Sequence, residues 1–234
     1  MERLDKIVAG ATGESRKTAR GMILRGRVSV NGKVSGDIGL KVDLSKDEIL
    51  LDGHPVNYKK HVYIMINKPE GVLSASDDKS RETVVDLVKE FFPREGLFPV
   101  GRLDKNTTGL LIITDDGDFG HKVISPKSNI EKEYIVGLDK PITDSDIEKL
   151  QKGVTLADGT VCRPAKVSVL DSREKISIVI TEGKYHEIKR MLGTVDIGVN
   201  TLERVRIGQL LLDGNLHKGE CRELNAEELS FVCK

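Results

Sequence analysis

The chain has 234 residues, enough to bury a full core as one domain or as a large domain with a small companion. It is 38% hydrophobic and 32% charged, an ordinary soluble composition, and its 37 basic residues balance 37 acidic ones, so global charge predicts no polyanionic partner. Three unclustered cysteines, Cys162, Cys221 and Cys233, exclude a disulfide framework or a CxxC zinc site and suit a reducing cytoplasm.

The N-terminal stretch "MERLDKIVAG" is too charged for a secretory signal. No apolar run reaches membrane-spanning length; "VYIMI" (62–66) and "GLLIIT" (109–114) have the size of buried strands, so no membrane partner is expected.

In chain order, "ERLDKIVA" (2–9) places Leu4, Ile7 and Val8 at helical spacing. Ser15 is positioned to cap a second helix running to about Arg25. "RVSVNGKV" (27–34) and "EILLDGHPV" (48–56) each set an Asn-Gly or Asp-Gly pair between alternating residues, which predicts two-residue hairpins. Residues 1–36 hold eight bases against three acids, a nucleic-acid footprint or a solvated basic face. The polar bridge "NYKKH" (57–61) marks the boundary between a module at 1–58 and a larger domain at 59–234.

Beyond it, "VYIMINKPEG" reads as a strand ending in a Pro-Gly turn. "RETVVDLVKEFF" (81–92) reads as a helix with Val84, Leu87, Val88 and Phe91 inward. "EKEYIVGL" (131–138) alternates as a strand and Thr143 caps "DSDIEKLQKG". "VTLADGTVCRPAKVSVL" (154–170) predicts a hairpin about Asp158-Gly159. "KISIVITEG" (175–183) is a strand running into the helically spaced "KYHEIKRML", and "NAEELSFV" (225–232) is a short capped helix. This mixture predicts an α+β fold with a mixed, largely antiparallel sheet.

Few clusters suggest chemistry by spacing alone. "TDDGDFGH" (114–121) fails the twelve-residue calcium-loop pattern and reads as a β-turn. The glycines at 101, 109, 117 and 120 match no phosphate-binding or dinucleotide motif, so neither metal nor cofactor is expected. His121, His186 and His217 stand isolated. In "VGRLDKNTTGLLIITDDGDF" (100–119), Asp104 sits between Arg102 and a Lys-Asn-Thr-Thr-Gly turn; the residues alone leave it open between shaping that turn and performing chemistry.

Together these segments resemble the RsuA-type bacterial ribosomal RNA pseudouridine synthases over nearly the whole chain. "RLDKIVA" and "SRKTARGMILRGRVSVNGKV" look like an S-four-like αL RNA-binding domain. "YIMINKPEGVLSA", "GRLDKNTTGLLIITDDGDF", "EKEYIV" and "EGKYHEIKRML" look like the catalytic-domain motifs in order. The resemblance implies an isomerase acting on a flipped-out uridine without cofactor, with Asp104 as catalytic aspartate, Tyr134 stacking on the base and Lys189 paired with Asp104.

It further implies that Arg102 fills the space vacated by the uridine. Arg190 is an alternative partner for Asp104, and Lys68, with Pro69, shapes the floor of the site. Thr107, Thr108 and Gly109 form the turn that presents Asp104. The basic module would hold RNA phosphates through Arg3, Ser15, Arg16, Lys17, Arg20, Arg25, Arg27 and Lys33.

The implied partner is ribosomal RNA within an assembly intermediate, the enzyme acting as a monomer. The end of the chain soon after "CRELNAEEL" and the third motif "YHEIKRM" favour 16S over 23S RNA, with uridine 516 as target. The competing classes are a non-catalytic ribosome-binding factor and a glycosidase of free nucleosides.

Overall fold

The computed structural model describes residues 1–233, which fall into two compact units, the first over 1–62 and the second from 63 onward. In the first unit, β1 (Glu2–Arg3) leads into α1 (Leu4–Thr12), and α2 (Arg16–Leu24) starts at Ser15, whose hydroxyl accepts the Thr18 N–H. Two hairpins follow, β2 (Val28–Val30) with β3 (Lys33–Val34) and β5 (Ile49–Leu51) with β6 (His54–Pro55). Between them β4 (Lys41–Val42) pairs with β1.

The hairpin turns require left-handed backbone, supplied by Asn31-Gly32 at φ 51° and 75° and by Asp52-Gly53 at φ 50° and 80°. Leu4, Ile7 and Val8 of α1 meet Ala19 and Ile23 of α2 over Val28, Val42 and Ile49, forming a small core of their own.

The second unit is built on one sheet in the order β11-β12-β10-β13-β9-β7-β15. Its strands are β7 (Tyr63–Lys68), β9 (Thr108–Thr114), β10 (Lys132–Leu138), β11 (Lys166–Val169), β12 (Lys175–Ile180), β13 (Val199–Ile207) and β15 (Cys221–Glu223). The short β8 (Phe98–Pro99) and β14 (Leu210–Leu211) attach to β9 and β13. All pairs are antiparallel except β13 with β9, so the sheet is mixed as the sequence predicts. The apolar run of β9 is buried throughout, because this strand lies near the centre of the sheet and both of its faces are covered. β10, by contrast, alternates buried and half-buried residues. The helices are α3 (Val84–Lys89), α4 (Gly117–Ile124), α5 (Asp144–Lys152), α6 (Glu187–Gly193) and α7 (Ala226–Val232). Thr83, Thr143 and Asn225 close capping boxes at α3, α5 and α7.

Three local expectations are corrected. α3 ends at Lys89, so helical spacing no longer applies at Phe91. That ring is 65% exposed, while Val85 joins Val84 and Val88 in the core. The acids after Thr114 form a helix start and not an isolated turn: the Asp116 carboxylate accepts the Asp118 and Phe119 N–H groups and caps α4. The hairpin expected over 154–170 shrinks to a single bridge between Thr155 and Val161. Pro164 has no N–H for a ladder, and the chain beyond it pairs with β12 instead.

Candidate active site

Asp104 stands on the loop before β9, and segments far away in the sequence hold that loop. The Thr107 N–H donates to the Asp104 carbonyl at 3.0 Å and closes the turn, while Thr108 and Gly109 already belong to the strand. Gly109 is required by space as well as conformation. Its φ is +99°, and a Cβ there would lie 2.3 Å from the Arg204 carbonyl oxygen on β13.

Ser74 clamps the residue before Asp104. Its hydroxyl donates to the Leu103 carbonyl at 2.9 Å and accepts the Leu103 N–H at 3.1 Å. Lys68 is fully buried at the end of β7 and donates to the carbonyls of Pro69, Lys105 and Thr107 at 2.9, 3.2 and 3.1 Å. Burial pushes its ammonium down to about 8. Of the four cations expected near the site, Lys68 therefore lies in the interior as a loop brace, away from any RNA surface.

The third motif supplies the partners of the carboxylate. α6 starts at Glu187 and brings Lys189 Nζ to 3.1 Å from Asp104 Oδ2. Arg190 points elsewhere, to Asp158 and the Tyr185 carbonyl. His186, isolated in the sequence, places Nε2 at 3.5 Å from Asp104 Oδ1. It occupies the position before α6 in the left-handed region (φ 49°), without a side-chain capping bond, and stacks on the exposed Tyr185 ring at 3.9 Å. A non-glycine residue held at positive φ beside a carboxylate is the kind of local strain that clusters at functional sites. No periodicity would have revealed it.

Asp104, Tyr134, His186 and Lys189 line one small cleft with Arg102 at its edge. Arg102, Tyr134 and Lys184 also line a neighbouring cavity of about 730 Å³, whose walls include Phe98, Lys132, Glu182 and Arg204. Tyr134 is buried on β10 and lines both spaces, as does the exposed Arg102.

Glu182 and Glu187 are both buried and face each other. Burial, then the neighbouring Glu182 carboxylate, pushes Glu187 up to about 7, so the two share a proton near neutrality. With the Cys162 thiol their ligand atoms lie within 4.8 Å, the one cluster of metal-binding types among the described residues. Glu182 is already taken by the Arg163 N–H at 2.8 Å and the Lys184 ammonium at 2.8 Å, which leaves a poor donor set for a cation. In "TDDGDFGH" the Asp116 carboxylate is occupied by the α4 cap and by the Tyr63 hydroxyl.

The sequence profile of the RNA pseudouridylate synthase family matches residues 62–194, and that of the S4 domain matches residues 2–49. The chain belongs to the RNA pseudouridylate synthase family. Pseudouridine synthases are isomerases: the C1′–N1 bond of a uridine breaks, the base turns over, and a C1′–C5 bond forms while a proton leaves C5 and one joins N1.

Among its relatives, the ribosomal large subunit pseudouridine synthase B of Bacillus subtilis is 39% identical over 234 residues, covering 98% of this chain and 94% of the relative. The ribosomal small subunit pseudouridine synthase A of Escherichia coli K12 is 37% identical over 232 residues, covering 98% and 99%. A crystal structure of a pseudouridylate synthase superposes with a TM-score of 0.70 at 32% identity, covering 99% of this chain and all of that one.

In the S4-type unit the basic residues expected to meet RNA are all exposed but differ in their engagements. Arg3 and Arg20 both bond the buried Asp5 carboxylate, and Arg27 pairs with Asp52. Ser15 caps α2. Arg16, Lys17, Arg25 and Lys33 have no ion pair among the described residues, so their charges are free for phosphate.

Proposed function

We propose that the protein converts a specific uridine of ribosomal RNA to pseudouridine, with Asp104 acting at the anomeric carbon. The observation that carries this reading is the Lys189 ammonium at 3.1 Å from the Asp104 carboxylate in a cleft shared with Tyr134. A carboxylate placed there can attack C1′ or steady its positive charge, as in glycosidases. Tyr134 stacks on the base, and Arg102 at the rim fills the gap left by a flipped-out nucleotide. The S4-type unit grips phosphates through Arg16, Lys17, Arg25 and Lys33, with a salt-sensitive affinity that positions the substrate.

The target we favour is uridine 516 of 16S RNA, met in a ribosomal assembly intermediate in the cytoplasm by a monomeric enzyme. The His and Lys of "YHEIKRM" support that choice. A 23S target is the second reading, favoured by the 39% identity to a relative named for the large subunit.

Incubating the purified protein with 16S and 23S RNA and mapping pseudouridine by carbodiimide-blocked primer extension tests both. One stop at position 516, absent with Asp104→Asn, is expected. A stop on 23S RNA alone overturns the substrate choice, and equal stops with Asp104→Asn overturn the role of the carboxylate.

A further inference from the structure

β13 carries two arginines two residues apart, and they are treated very differently. Opposite β10 the register runs Glu133 with Arg206 and Tyr134 with Arg204, so a bulge at Val205 separates the pairs and the two guanidinium groups find different surroundings. Arg206 is fully engaged: it donates to Glu133 at 2.7 Å, to Glu131 at 3.3 Å and to the Gly208 carbonyl.

Arg204 is only 2% exposed and donates Nε to the Leu110 carbonyl at 2.8 Å. Its Nη2 is buried with no hydrogen-bond partner among the described residues. Beside it in the same cavity wall is Lys132, also buried, which donates to the Ile130 carbonyl at 3.1 Å. Burial, then the Arg204 charge, pushes that ammonium down to about 8. Neither cation has a carboxylate within ion-pair distance among the described residues; the nearby Glu187 accepts the Lys184 N–H through Oε2, and its buried Oε1 has no hydrogen-bond partner among them.

Two adjacent buried cations, one with an idle donor, are costly in a folded protein. The arrangement is explained if an anion occupies the cavity during turnover. The reaction creates one. When C1′–N1 breaks heterolytically, the electron pair leaves with the base, and the charge spreads from N1 to O2, C5 and O4. The pair at C5 then forms the new bond to C1′, the C5 proton departs and N1 is protonated.

We propose that Arg204, with Lys132 beside it, binds the detached uracil anion by donating Nη2 to one of its carbonyl oxygens. The guanidinium carbon lies 6.0 Å from the Tyr134 ring centroid. A base stacked on that ring thus has its edge within the reach of the cation. Donors preorganised where charge develops, in a site shielded from water, lower the barrier without reorganising. Holding the anion by oxygen also leaves C5 free to re-bond. The inference rests on placing the reaction at Asp104 and Tyr134.

The test compares single-turnover scission of C1′–N1 in RNA carrying uridine or 5-fluorouridine, with wild type, Arg204→Met, Arg204→Lys and Lys132→Met. Fluorine makes the base a better leaving anion, so its departure needs less help from a cation. Its presence at C5 also prevents the final proton loss, so scission of the original glycosidic bond is the readout.

Arg204→Met should slow the uridine reaction about 100-fold, as expected for a lost oxyanion donor, with RNA affinity within about twofold. It should slow the 5-fluorouridine reaction several-fold less. Arg204→Lys should recover part of the loss. A merely structural role would slow both substrates equally. An unchanged ratio of the two rates, in whichever of the three variants keeps the wild-type circular dichroism, overturns the proposal. Asp104→Asn run alongside separates the two claims: if it still cleaves, the placement of the reaction has failed, and not the anion site.

Discussion

Glu187 offers a measurable link between the interior of the site and pH. Its folded value of about 7 compares with an ordinary 4.5, because burial and then Glu182 disfavour the ionised form. The native state therefore keeps a proton that the unfolded chain releases, and stability falls as pH rises through the window from 4.5 to 7. With about 1.4 kcal/mol per unit, the penalty is below about 1 kcal/mol at pH 5 and about 3 kcal/mol at pH 8. Glu187→Gln abolishes the titration while its amide still donates to Glu182, so it mimics the protonated carboxyl at every pH. Urea unfolding of both proteins at pH 5 and pH 8, followed by circular dichroism, should show Gln gaining about 2–3 kcal/mol on wild type between the two conditions. A double difference under about 0.5 kcal/mol would refute the shared-proton reading.

The remaining predictions concern the loop brace and the RNA grip. Ser74→Ala leaves the Leu103 N–H and carbonyl buried without their partner and should cost about 3 kcal/mol in urea unfolding, with turnover falling further as Asp104 loses its setting. Gly109→Ala meets both a φ of +99° and the Arg204 carbonyl, and should prevent the second unit from folding. Gly71→Ala, at φ +89° in open space, should cost only about 1–2 kcal/mol by thermal melting. Arg16→Ala and Lys17→Ala should each reduce the slope of log affinity against log salt by about 0.7–0.9, as read by filter binding. Arg27→Ala, already paired with Asp52, should reduce it by less.

Features that were legible in the sequence are those decided within a few residues. The Asn31-Gly32 and Asp52-Gly53 turns announce themselves because only certain residues tolerate positive φ, and the caps at Ser15, Thr143 and Asn225 depend on a hydrogen bond three residues away. What was hidden depends on register or on where an element stops. Lys189 meets Asp104 and Arg190 does not because α6 starts at Glu187. Phe91 is exposed because α3 ends at Lys89. Arg204 and Arg206 look alike in "ERVRI", and only the bulge opposite Glu133 and Tyr134 gives them different partners.

The same distinction explains why motifs so far apart in the chain belong to one site. The second motif supplies Asp104 but cannot hold it, since a loop before a strand leaves several carbonyls unpaired. The first motif meets them: Lys68 takes the Lys105 and Thr107 carbonyls, the Gly71 N–H also donates to Lys105, and Ser74 takes both backbone groups of Leu103. β7 runs antiparallel beside β9, with Lys68 opposite Gly109, so this brace is delivered by the sheet itself. The price is a lysine buried at the end of β7. Because burial holds its ammonium near 8, the brace is charged at neutral pH and weakens as alkali removes the proton. Lys68→Met should therefore flatten the alkaline limb of the rate–pH profile, whereas a profile identical in shape to the wild type would show that Asp104 does not depend on that charge.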